Sequence, residues 1–107
     1  SDADMRIITA RYLLGAKRKD GTPFDPVTRF HLGNGAEVFD VHANADSSLN
    51  GRAQSAGAMV NYLYDLKQVE SNHEDFALRG TIKASKAVAS LTKSALTAKP
   101  EESAKVT

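Results

Sequence analysis

Arg29-Phe30-His31-Leu32-Gly33-Asn34-Gly35-Ala36-Glu37-Val38-Phe39-Asp40-Val41 consists of two alternating stretches set around an Asn-Gly pair. Asn-Gly is the strongest short hairpin signal, because both residues tolerate the positive φ of a type I′ turn. A β-hairpin is therefore expected, with Phe30 opposite Phe39, His31 opposite Val38 and Arg29 opposite Asp40. On that register Phe30, Leu32 and Phe39 share one face, and His31 stands on the other with Arg29 and Asp40. A bulge at Gly33 would slip the pairing by one residue and is the alternative. Just upstream, Phe24-Asp25-Pro26 pushes the residue before proline to extended geometry, so the first strand is expected to start near Val27.

Working outward toward the N-terminus, Met5, Ile8, Tyr12 and Ala16 recur at helical spacing, widened by Ile7 and Leu14. They predict an amphipathic helix from Ala3 to about Lys17, closed by the loop Asp20-Gly21-Thr22-Pro23. On the other side, Asp46-Ser47-Ser48 offers N-caps for a long helix. Leu49, Ala53, Ala56, Val60, Leu63 and Lys67 would lie near one side of it, with Asn61, Tyr64 and Gln68 away. The small residues from Gly51 to Ala58 would let a ligand or another backbone come close. Ser71-Asn72-His73-Glu74 reads as a capping box opening a short helix that ends at Gly80. An extended Thr81-Ile82-Lys83 follows, and Ser85 then caps a last helix with Val88, Leu91, Ala95 and Leu96 as its stripe.

These elements make an α+β segment over residues 1–98, and the polar stretch 99–107 with its proline is expected to be a flexible tail. At 107 residues one core is the limit. With 14 Lys+Arg against 13 Asp+Glu there is no field to gather a polyanion, which argues against nucleic-acid binding. The absence of cysteine removes disulfides, thiolate nucleophiles and the usual structural zinc sites. No apolar run approaches a membrane span, and the acidic Ser1-Asp2-Ala3-Asp4 is unlike a signal peptide, so a cytoplasmic protein is expected.

No dinucleotide fingerprint, phosphate loop, nucleophile elbow or paired-histidine metal motif occurs. His31 is the candidate for positioned acid–base chemistry, against a structural or solvent-exposed role. His42, at a strand end, and His73, in the first turn of a helix, are expected to be non-catalytic. Asn61 and Tyr64, at i and i+3 of the long helix, would face one space and bind a polar ligand together; tyrosine rings packed in a core are the competing explanation.

The run from Asp25 to Ala36, with its Asp-Pro-Val, Phe-His-Leu and Asn-Gly-Ala, resembles the signature of malonyl-CoA decarboxylases. The resemblance continues through Ala45-Asp46-Ser47-Ser48, Gly51, Gln54 to Leu66 and Glu70 to Glu74, from about Arg11 to Leu91. Where many relatives have Asn-Trp before Ala-Asp, this chain reads His42-Ala43. The resemblance implies the C-terminal part of an acetyltransferase-like (GNAT-like) catalytic domain. It implies conversion of malonyl-CoA to acetyl-CoA and carbon dioxide, with no metal or organic cofactor. His31 matches the family's catalytic histidine and Tyr64 an active-site tyrosine, while the partner serine lies upstream of the matched region and is not Ser47, Ser48 or Ser55. The chain by itself is then expected to be incomplete and inactive, to need the remainder of the decarboxylase and to belong to a homo-oligomer. A non-catalytic interaction module that keeps this segment of an acyl-CoA enzyme is the other reading.

Overall fold

The computed structural model describes residues 1–42, 52–55 and 58–97, with 52–55 as backbone alone. The fold is α+β. Helices α1 (Asp2–Gly15) and α2 (Pro26–Gly33) precede strands β1 (Glu37–His42), β2 (Arg52–Ser55) and β3 (Ala58–Leu63), and α3 (Val69–Arg79) and α4 (Lys86–Leu91) follow. The sheet is antiparallel with order β1-β3-β2. Ala10 and Leu13 of α1, Leu32 of α2, Val38, Val41 and Val60 of the sheet and Val88 of α4 form one buried cluster.

The first helix forms as its periodicity predicts, with Ser1 as N-cap accepting the Asp4 amide at 3.2 Å. Its buried face differs from the expected stripe: Ile7, Ala10 and Leu13 are inside, while Met5 and Ile8 are exposed. The helix is apolar on adjoining stripes, and the stripe carrying the small Ala10 allows the closer approach to β1 and α4. Buried Asp4 of α1 accepts the Thr97 amide at 2.7 Å and its hydroxyl at 2.6 Å, tying the far end of the described chain to this helix. Leu13→Ala removes a fully buried side chain from this cluster and is expected to cost roughly 2–5 kcal/mol, measurable as a shift of the urea midpoint at constant slope.

The expected hairpin around Asn34-Gly35 does not form, and no strand starts near Val27. Residues Pro26–Gly33 are helical. Asp25 is extended, as a residue before proline should be, but that conformation also suits an N-cap. Its carboxylate accepts the Thr28 amide at 3.0 Å, and Pro26 occupies the first helical position, where a missing N–H costs nothing. Thr28 and Leu32, four apart, are the buried positions, a helical rather than an alternating pattern. Asn34-Gly35 still serves a positive φ, at Gly35 (+93°), but to end a helix. The amides of Asn34 and Ala36 donate to the His31 carbonyl at 3.1 and 3.0 Å, and that of Gly35 donates to Leu32 at 3.0 Å. Phe30, expected to share a face with Leu32 and Phe39, is 65% exposed, and no Phe30–Phe39, His31–Val38 or Arg29–Asp40 pairing exists.

The expected long helix is also replaced: its described part is β2 and β3, joined through residues 56–57, which lie outside the described residues with 43–51 and the expected Asp46-Ser47-Ser48 cap. β3 is the central strand, and Ala58, Met59 and Val60 are all buried. A strand covered on both faces reads as a continuous apolar run, which periodicity does not distinguish from a buried helix. The Ser71 capping box is absent because α3 starts earlier, from a turn at Asp65 whose carbonyl accepts the Gln68 and Val69 amides. Its end at Gly80 is as expected, with φ +69°.

Ser85 caps α4 as predicted, accepting the Val88 amide at 3.1 Å, although Ala95 and Leu96 lie beyond the helix end. The same hydroxyl donates to Phe39 at 2.8 Å, at a shift in the β1–β3 register between Val38 and Asp40. Backbone bonds from Val38 to Lys83 and from Ser85 to Val38 cover the outer edge of β1. The tail, residues 99–107, is outside the described residues.

Candidate functional site

His31 lies in the last turn of α2, and Tyr64 directly follows β3. The two predicted residues meet: His31 Nδ1 and the Tyr64 hydroxyl are 2.6 Å apart, with ring centroids at 5.9 Å. The routes that bring them together differ from those expected, since His31 stands on a helix and Tyr64 at a strand end. In a strand, residues two apart share a face, so Tyr62 and Tyr64 both address His31. Tyr62 stacks on the imidazole at 4.2 Å with only 15° between the ring planes, and Phe30 meets its edge at 5.2 Å.

Behind the stack runs a line of polar groups, of which Thr28 and Asp25 are buried. The Tyr62 hydroxyl is 2.7 Å from Thr28 Oγ1. Thr28 lies three residues before His31 on α2, so one helix face presents both groups to one tyrosine. Thr28 donates to Asp25 Oδ2 at 3.2 Å, and the other Asp25 oxygen accepts from the Tyr12 hydroxyl of α1 at 3.3 Å. A carboxylate only accepts and each hydroxyl has one proton, so the Tyr62 hydroxyl is the donor to Thr28. Desolvation, aided by the charge of Asp25, raises the Tyr12 pKa.

Burial lowers the His31 pKa and raises that of Tyr64. Both shifts favour the neutral forms. Among the described residues Nε2 of His31 has no hydrogen-bond partner.

The other candidates separate from this pair. Asn61 sits in β3, where odd and even positions face opposite ways, so it does not join Tyr64 as helical spacing suggested. Its buried Oδ1 has no partner among the described residues. His42 is 3.6 Å from Asp40, which also pairs with Arg6 of α1 at 3.1 Å. His73 is exposed and its Nδ1 lies 2.6 Å from the Gly33 carbonyl, so it clasps the end of α2. Among the described residues no group of three or more His, Asp or Glu could hold a metal ion, and no helix is long and apolar enough to cross a membrane. Ser47 and Ser48 lie outside the described residues.

Reading the sequence for isolated histidines misses Tyr62, Thr28 and Asp25. Their signals are present as the cap-forming Asp25-Pro26, the Thr28–His31 spacing and the Tyr62–Tyr64 alternation.

The model of the malonyl-CoA decarboxylase C-terminal domain matches residues 2–105. The mitochondrial malonyl-CoA decarboxylase of Rattus norvegicus is 42% identical over 84 residues, which cover 78% of this chain and 17% of that protein. That of Anser anser anser is 42% identical over 83 residues and is likewise matched over only 16% of its length. The chain thus spans about one sixth of the relatives it matches. Among solved structures, malonyl-CoA decarboxylase from Rhodopseudomonas palustris superposes with a TM-score of 0.72 at 48% identity, over 84% of this chain and 21% of that one. The Agrobacterium vitis enzyme gives 0.70 at 44% identity, over 83% and 22%. With nearly its whole length matched by the family model, the chain belongs to the malonyl-CoA decarboxylase C-terminal domain family.

Proposed function

We propose that this chain supplies the His31–Tyr64 pair to a carboxy-lyase site that converts malonyl-CoA to acetyl-CoA and carbon dioxide. The observation that carries the reading is the 2.6 Å contact between side chains 33 residues apart, which presents a neutral imidazole with Nε2 unengaged among the described residues. The remainder of the decarboxylase completes the site, in a GNAT-like domain to which this antiparallel sheet and its helices contribute the C-terminal part. Exposed Leu66 (92%) and Leu78 (75%) suit a segment that docks on other protein surfaces, whether the remainder of the enzyme or a second copy.

Cleavage of the bond between the α-carbon and the carboxylate releases carbon dioxide and leaves the electron pair as a thioester enolate. That enolate must be stabilised at oxygen and protonated at carbon. A phenol is a stronger acid than a neutral imidazole N–H, so Tyr64 donates to Nδ1 and the imidazole proton resides on Nε2. Nε2–H is then directed at the developing enolate as donor to its oxygen, while the proton that carbon takes up comes from solvent and leaves the imidazole neutral. The raised pKa of Tyr64 keeps its hydroxyl proton in place at neutral pH.

A double-mutant cycle tests the pair. The assembled enzyme is made by placing this chain in the corresponding part of the Rhodopseudomonas palustris protein, and His31→Gln and Tyr64→Phe are compared singly and together. The double variant is expected to be little worse than His31→Gln alone, since removing the imidazole already removes what Tyr64 orients. Losses that multiply would separate the two residues, and turnover within a few-fold of the parent in both single variants would overturn the reading.

A further inference from the structure

We propose that Tyr62 is a positioning residue that sets the plane of the His31 imidazole and anchors it, through Thr28 and Asp25, to α1. The proposal rests on His31 acting in the reaction as read above.

A single hydrogen bond at Nδ1 holds one edge of the imidazole and leaves the ring free to swing about that contact. Nε2 would swing with it. The near-parallel face of Tyr62, 4.2 Å away, removes this freedom by permitting one ring plane. A stacked ring can hold another only if it is itself held, and Tyr62 is tied at its far end by the 2.7 Å contact to Thr28. Thr28 is fully buried and Asp25 is 4% exposed, so this anchor lies away from solvent. Asp25 takes both the amide and the hydroxyl of Thr28 and also receives Tyr12 from α1. Three elements, α1, α2 and β3, thereby converge on the orientation of one ring. Small misplacement of a reacting group costs rate without necessarily weakening substrate binding. Tyr62 should therefore act on kcat more than on KM.

The assembled enzyme carrying Tyr62→Leu, Tyr62→Phe, Thr28→Val or His31→Gln tests this, with kcat and KM measured separately and the His31 ring protons followed by NMR. Tyr62→Leu is expected to lower kcat at least about 10-fold, with KM within about 3-fold of the parent. Tyr62→Phe, which keeps the ring but loses its tie to Thr28, should recover only part of that loss. The upfield ring-current shift of the His31 protons should persist in Tyr62→Phe and vanish in Tyr62→Leu. Unchanged kcat in Tyr62→Leu, or a loss confined to KM, overturns the proposal. If Tyr62→Leu fails to fold, Tyr62→Phe and Thr28→Val decide: several-fold lower kcat at unchanged KM in either one supports the anchor, and parental kcat in both overturns it. Inactive His31→Gln beside fully active Tyr62→Leu would reject the positioning role alone. Active His31→Gln would reject the catalytic reading on which it rests.

Discussion

His31→Gln in the assembled enzyme is expected to lower kcat by about two to three orders of magnitude, the range lost with a single positioned donor to a developing oxyanion. Gln keeps a polar side chain in the last turn of α2 but offers no ring to stack on Tyr62 and no N–H held at a fixed angle by that stack. The loss should fall on turnover, because an interaction made mainly in the transition state affects kcat and kcat/KM alike. The pH dependence follows from burial of the imidazole, which lowers its pKa below the ordinary value of roughly 6.5. On the proposed reading neutral His31, accepting from Tyr64, is the active form, so the acid limb of kcat/KM is expected below about pH 6.5. Stability should move in the same direction, because the unfolded chain takes up this proton before the native one does. It is therefore lost as pH falls through about 6.5 toward the lowered native pKa, and the dependence disappears in His31→Gln. An acid limb above pH 7, or turnover within a few-fold of the parent, would exclude this role for His31.

The second large effect is structural. Gly35→Ala is expected to cost roughly 3 kcal/mol or more, near the upper end for a single substitution. A Cβ at position 35 would lie 2.3 Å from the Val69 carbonyl oxygen and 2.8 Å from its Cγ1, and φ there is +93°. The backbone conformation alone penalises a side chain by about 1–3 kcal/mol, and the overlap with main chain is relieved only by moving α3 away from α2. That movement would also pull at the Asn72 bond to the Gly35 carbonyl (3.2 Å) and at the His73 bond to that of Gly33 (2.6 Å), both of which brace the end of the helix that carries His31. For a chain of this size the melting temperature should fall by at least about 10 °C. Gly33→Ala is the control: among the described residues its Cβ would meet only Phe76, at 4.0 Å, and φ is not in the left-handed region. A melting temperature for Gly35→Ala equal to that of Gly33→Ala would show that the α2–α3 contact yields more easily than this geometry requires.

Several features are decided locally and are legible in the residues alone. The helix at the N-terminus, the stop at Gly80 and the Ser85 cap depend on the few residues that make them. Family membership is likewise legible, through the ordered fragments from Asp25 to Glu74, and with it the choice of His31 and Tyr64 as candidates. Asn34-Gly35 shows where local reading ends. Its tolerance of positive φ is plain from the residue types, but that tolerance serves a helix end as well as a hairpin turn, and the Asp25–Pro26 cap nine residues upstream selects the former. Val60 and its neighbours show the same limit from the other side. An apolar run contains no preference between a buried helix and a central strand, and only pairing with β1 and β2 resolves it. The helix face that α1 buries and the stack of Tyr62 on His31 belong to this second class, because each depends on partners distant in the chain whose packing overrides spacing within one element. The residue types of the proposed pair are thus written in the sequence, whereas the ring plane of His31 and its contact with Tyr64 exist only once α1, α2 and β3 have closed around one core.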